Sequence, residues 1–129
     1  VKTFLQHTLN IQESEWRFTE APSLQSITLR APRFQLPPHI RELCSDSKYD
    51  RILHSFGRSY RDLVTCLRGD FVNVADYVAF PKTEEHIMEL LKFSQENNVA
   101  IIPFGGGTSV AGGVDPPTSA SYKGCITLS

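Results

Sequence analysis

The hydrophobic pattern changes character near residue 38. Before it, Leu24, Ile27 and Leu29 fit neither a helical stripe nor strict alternation, and Pro22 and Pro32 bracket them. Residues 1–38 therefore read as an extended arm that wraps something else, with Trp16, the sole tryptophan, as its anchor. From Pro38 to Gly69 the pattern is helical. Pro38 suits a first turn, and Ile40 and Leu43 then share a face. The best-defined helix runs from Ser59 to Arg68, where Tyr60, Leu63, Val64 and Leu67 recur at i, i+3, i+4 and i+7. Ser59 is placed to cap it, Asp62 lies in its first turns, Arg68 complements the negative end of the dipole, and Gly69 can take the left-handed exit.

Asp76 to Phe80 is a β-prone run stopped by Pro81, which disfavours a helical residue before it. Thr83 then offers an N-cap hydroxyl, Glu84 and Glu85 suit a positive helix end, and Ile87, Leu90 and Leu91 form the buried stripe that Ser94 continues. This helix is predicted to end near Asn97, since Asn97 and Asn98 tolerate a left-handed exit. Val99 to Phe104 is a continuous apolar run, as in a strand covered on both faces. Strand, helix and strand make a βαβ unit with parallel strands and a right-handed crossover, and such units place ligands at the C-terminal ends of their strands. Cys125 to Leu128 is again strand-like. With no Met at the start and an end straight after a strand-like run, a fragment is expected.

Composition narrows the function classes. At 129 residues, 40% of them hydrophobic, the chain holds one modest core and is one domain or a piece of one. Thirteen Lys and Arg against 14 Asp and Glu give a net charge of -1, so no global field attracts nucleic acid or an anionic membrane. Any affinity for phosphate must be local. No apolar run approaches the roughly 20 residues that span a bilayer, and the N-terminus lacks a signal-peptide pattern, so the chain reads as soluble and cytoplasmic. Cys44, Cys66 and Cys125 are an odd set without CxxC spacing and read as buried or idle thiols. His54 and His86 have no Cys or carboxylate at metal spacing, so no metal is expected.

Five of the eight glycines, Gly105, Gly106, Gly107, Gly112 and Gly113, fall within nine positions at the edge of the last βαβ strand. The loop Pro103-Phe104-Gly105-Gly106-Gly107-Thr108-Ser109 can turn consecutive N–H groups toward one anion without Cβ interference, with Thr108 and Ser109 as hydroxyl donors. No Lys or Arg lies between Pro103 and Gly113, as suits a charge-free pyrophosphate nest. A Walker A loop is excluded by the missing Lys, and a G-x-G-x-x-G fingerprint by Val110. A glycine-rich turn that only makes a tight bend is the bland alternative, but a bend needs one or two glycines rather than three.

The stretch from Asp76 to Glu84 and that from Ile101 to Val110 resemble the start of the FAD-binding domain of vanillyl-alcohol-oxidase-type (PCMH-type) flavoproteins. His54 to Asp62 narrows the resemblance to the alkyldihydroxyacetonephosphate synthase-like branch of FAD-linked oxidases, over about residues 37–129. The resemblance implies an α+β chain: an N-terminal arm and helices over residues 1–69, then the βαβ first half of the FAD domain over residues 70–129. It also implies an FAD whose pyrophosphate is wrapped by Pro103 to Ser109, and catalytic groups beyond Ser129. None of His7, His39, His54 or His86 lies in the loop, so the flavin is expected to be noncovalent. The implied chemistry is either acyl-for-alkyl exchange on a dihydroxyacetone phosphate ester or oxidation of a hydroxy acid such as D-lactate or glycolate. A homo-oligomer, and a peroxisomal site in a eukaryote, are compatible with that class.

Arg58 and Arg61, with His54 and Tyr60, admit two readings: a phosphate or carboxylate pocket for the substrate, or a solvated helix face with surface pairs. Asp115-Pro116-Pro117 reads as a loop, and Tyr122 and Lys123 as surface residues. A noncatalytic module that binds a nucleotide, or a partner through the arm, is the rival from another class.

Overall fold

The structure is a computed structural model that describes residues 2–10, 14 and 20–129. Trp16 and its anchoring role lie outside the described residues. The first element is a helix, α1 (Lys2–Leu9), where the sequence predicts an extended arm. Its eight residues contain neither Gly nor Pro, so nothing local opposes helix.

Residues 20–36 hold no helix or strand, but the end of the arm packs on this chain's own sheet. Phe34 is buried, meets Tyr77 edge-on at 5.3 Å, and its carbonyl accepts the Tyr77 hydroxyl at 2.9 Å. Beside it the fully buried Asp76 carboxylate accepts from Arg30, from the Arg33 N–H at 2.9 Å and guanidinium at 2.8 Å, and from the Cys125 N–H at 2.8 Å. Burial alone would raise this carboxyl, but the hydrogen bonds from Arg33, Arg30 and the two N–H groups outweigh it and hold it below the usual aspartate range. Gly124 makes room for the cluster: a Cβ there would sit 2.5 Å from the Phe34 ring and 2.6 Å from Asp76 Oδ2.

The helical region resolves into three short helices, α2 (Pro38–Arg41), α3 (Lys48–Leu53) and α4 (Tyr60–Arg68). Between the first two lies a strand that the pattern does not reveal, β1 (Cys44–Ser45), too short to show alternation. The caps of α4 are as predicted. Ser59 and Asp62 form a reciprocal capping box, and Gly69 ends the helix at φ 72°.

The parallel strands are β2 (Tyr77–Ala79), β3 (Val99–Pro103) and β4 (Gly124–Leu128), with α5 (Glu84–Asn97) between the first two. Sheet order is β1-β2-β4-β3, so β4 enters between the strands of the βαβ unit and pairs parallel with both. β1 closes one edge antiparallel to β2. Thr83 caps α5 and Asn98 ends it at φ 55°. Leu90 is buried beneath α5 with Phe93 packed beside it, whereas Leu91, predicted in the buried stripe, is 45% exposed. Leu91 lies about 100° around the helix from Leu90, and the sheet covers only one side.

Alternation along β4 assigns the two faces. Ile126 joins Tyr77, Ala79, Val99 and Leu90 in one core, to which Phe34 and Ile40 also belong. Cys125 joins Ala75 and Ile102 in the other, and Thr127 on that face donates to the carbonyl of His54, just past α3. Arg51 of α3 is buried and donates to the carbonyls of Ala75 and Arg30, fixing α3 to both sheet and arm. Among the described residues no helix is long and apolar enough to cross a membrane.

Candidate functional site

The glycine-rich loop leaves the C-terminal end of β3, where Phe104 donates its N–H to the Leu128 carbonyl at 2.8 Å and extends the ladder by one bond. Below the loop the Phe104 ring packs on His54 at 4.8 Å, and His54 meets Phe80 edge-on at 5.6 Å. The His54 ring is fixed by a 2.9 Å bond between Nδ1 and the Asp50 carbonyl; since a carbonyl only accepts, Nδ1 carries the proton.

The three glycines differ in purpose. Gly107 has φ 63°, and a Cβ on it would lie 2.7 Å from the Phe104 ring, so the loop itself requires glycine there. A Cβ on Gly105 would meet nothing within 4 Å, and one on Gly106 only Thr108 Cγ2 at 3.8 Å. Internal packing therefore does not demand glycine at 105 or 106. Both face outward, and the N–H groups of Gly105, Gly106, Gly107 and Thr108 find no acceptor among the described residues.

Ser109 anchors the far side of the loop. Its hydroxyl accepts the Gly113 N–H at 3.0 Å, and its carbonyl accepts the Arg58 N–H at 2.7 Å. Gly57 permits that approach, because a Cβ on it would fall 2.2 Å from the Ser109 carbonyl oxygen. This contact is not visible in the sequence pattern. Its one local signal is an isolated glycine two residues before a helix cap.

The loop and the segment after α3 enclose a cavity of about 430 Å³, lined by His54, Phe56, Gly57, Arg58, Phe104 and Gly105 to Gly107 among others. The candidate cluster of His54, Arg58, Tyr60 and Arg61 is thus divided. His54 and Arg58 share the glycine-loop cavity, Tyr60 is 83% exposed, and Arg61 reaches Asp115 at 3.7 Å in a separate cavity of about 260 Å³. Asp115 lies in the predicted loop; burial and the neighbouring Asp62 raise its carboxyl, against Arg61. Burial pushes the Cys44 thiol up to about 11 and also raises Cys66 and Cys125, which makes all three poor nucleophiles.

Residues 75–125 match a family described as an FAD binding domain, which covers β2, α5, β3, the glycine loop and the start of β4. Through this segment the chain is similar to the FAD-binding domains of flavoproteins, and the cofactor this indicates is FAD. Within that class it is similar to alkyldihydroxyacetonephosphate synthase of Dictyostelium discoideum, at 33% identity over 118 residues covering 84% of this chain and 19% of that protein. A solved structure of an alkyldihydroxyacetonephosphate synthase superposes with a TM-score of 0.73 at 30% identity, covering 85% of this chain and 22% of the other. The mitochondrial cytochrome D-lactate dehydrogenase of Arabidopsis thaliana is 40% identical over 58 residues, 45% of this chain and 10% of that protein. The chain thus spans about a fifth of the length of the synthases it matches.

Proposed function

We propose that the glycine-rich loop holds the pyrophosphate of a noncovalent FAD, with Pro103, Phe104, Gly105, Gly106, Gly107, Thr108 and Ser109 as the binding segment. The observation that carries this reading is the open space over Gly105 and Gly106, beside N–H groups with no acceptor among the described residues. A chain that needed only a bend would not leave two side chains off where its own packing has room for them. A diphosphate fits such a cradle, because it brings acceptor oxygens close to backbone and needs no Cβ in the way.

In this reading residues 70–129 form the first half of an FAD domain, with the arm and helices of residues 1–69 packed on it, in a longer FAD-dependent enzyme. Bound flavin would supply the redox or carbon-transfer chemistry, while the residues described here bind and orient it. Similarity to the synthases favours acyl-for-alkyl exchange on a dihydroxyacetone phosphate ester. The match to D-lactate dehydrogenase supports oxidation of a 2-hydroxy acid as the second reading. Competition tests the binding claim: the protein takes up FAD saturably, and inorganic pyrophosphate displaces it. FAD uptake that pyrophosphate leaves untouched would remove the loop from the phosphate site.

A further inference from the structure

The loop sequence carries no cation, yet the fold brings one to it. We infer that Arg58 is the phosphate-binding cation of the glycine-loop cavity, an assignment that rests on the flavin reading above and deepens it.

Three observations converge. Arg58 is the only Lys or Arg among the described residues that line the cavity, and no carboxylate lines it to compete. Its side chain is exposed and makes no ion pair or hydrogen bond among the described residues, unlike Arg61 with Asp115 or Arg30 and Arg33 with Asp76. Its backbone is held against the loop by the 2.7 Å bond to Ser109, a closeness that only glycine at 57 allows. The uncommitted guanidinium is thereby fixed at its root beside Gly105 and Gly106. The cavity thus combines backbone donors with one uncommitted guanidinium. That set suits a diphosphate better than a neutral ligand, because a guanidinium pairs with two phosphate oxygens at once.

The test titrates FAD and, separately, inorganic pyrophosphate into the parent protein and the variants Arg58→Gln, Arg58→Lys, Arg61→Gln and Gly106→Val, with circular dichroism to confirm folding. Arg58→Gln is expected to weaken both ligands roughly tenfold. Arg58→Lys should recover part of that loss and Arg61→Gln should match the parent. Raised salt should weaken the parent more than Arg58→Gln, because an exposed charge is screened. Parent-like affinity in Arg58→Gln while Gly106→Val fails to bind overturns the Arg58 assignment and leaves the loop reading standing. Equal losses in Arg58→Gln and Arg61→Gln also overturn it, since a diffuse field would then explain both. A parent that binds neither ligand, or a Gly106→Val variant that binds both normally, overturns the loop reading and this assignment with it.

Discussion

Gly57 and Ser109 stand 52 positions apart in sequence, yet the Cα of one lies so close to the carbonyl of the other that a single added carbon would sit 2.2 Å from its oxygen. The contact joins the helical half of the chain to the glycine-rich loop.

Gly57→Ala is therefore expected to displace the loop. The clash is with backbone, which cannot swing aside, so the cost falls in the overpacking range of about 1–3 kcal/mol. Thermal melting should show a lower Tm, and FAD affinity should fall with it because Arg58 moves too. An unchanged Tm would mean that the contact is not held in solution.

The Asp76 cluster predicts an acid limit to stability. Its carboxyl is held below the usual range, so its contribution is complete above the unfolded aspartate value of about 3.9 and is lost as pH falls through the lower folded value. Asp76→Asn should cost about 3 kcal/mol at pH 7, the low end for a broken buried pair, since Arg30 and Arg33 are partly exposed. It should also flatten the dependence of stability on pH below about 4. Urea unfolding at several pH values checks both points, and parallel profiles for parent and variant would contradict them.

Apolar residues of equal hydrophobicity should differ sharply in cost. Leu90 is buried under α5, so Leu90→Ala should destabilise by about 2–5 kcal/mol. Leu63, on the α4 stripe, is 58% exposed, and Leu63→Ser should stay within about 0.5 kcal/mol. Denaturant midpoints decide the matter. A large loss in Leu63→Ser would show that the α4 stripe is covered in solution.

Much of the local structure was legible because its causes are local. The Ser59–Asp62 capping box, the Thr83 cap and the left-handed exits at Gly69 and Asn98 each depend on residues within four positions of one another. The glycine loop was legible by composition at the edge of a strand. What stayed hidden depends on contacts across the chain: Asp76 with Arg30 and Arg33, 46 and 43 positions away, and Arg58 with Ser109. β1 was hidden for another reason, since two residues carry no period. The α4 sequence is amphipathic, but periodicity does not say which side is covered. Here Asp62 and Thr65 line the inner cavity, and Tyr60, Leu63 and Leu67 face outward.

The loop glycines separate fold from binding. Gly107→Val should destabilise the protein, because position 107 has a left-handed φ and the Phe104 ring fills the space a side chain would take. Gly106→Val should melt like the parent, since a Cβ there meets only Thr108 at 3.8 Å. The most direct measurement is FAD titration of the parent and Gly106→Val side by side, with Tm recorded for each. The account predicts saturable binding by the parent and at least a tenfold loss in Gly106→Val at unchanged Tm. Equal FAD affinity in the two proteins would contradict it.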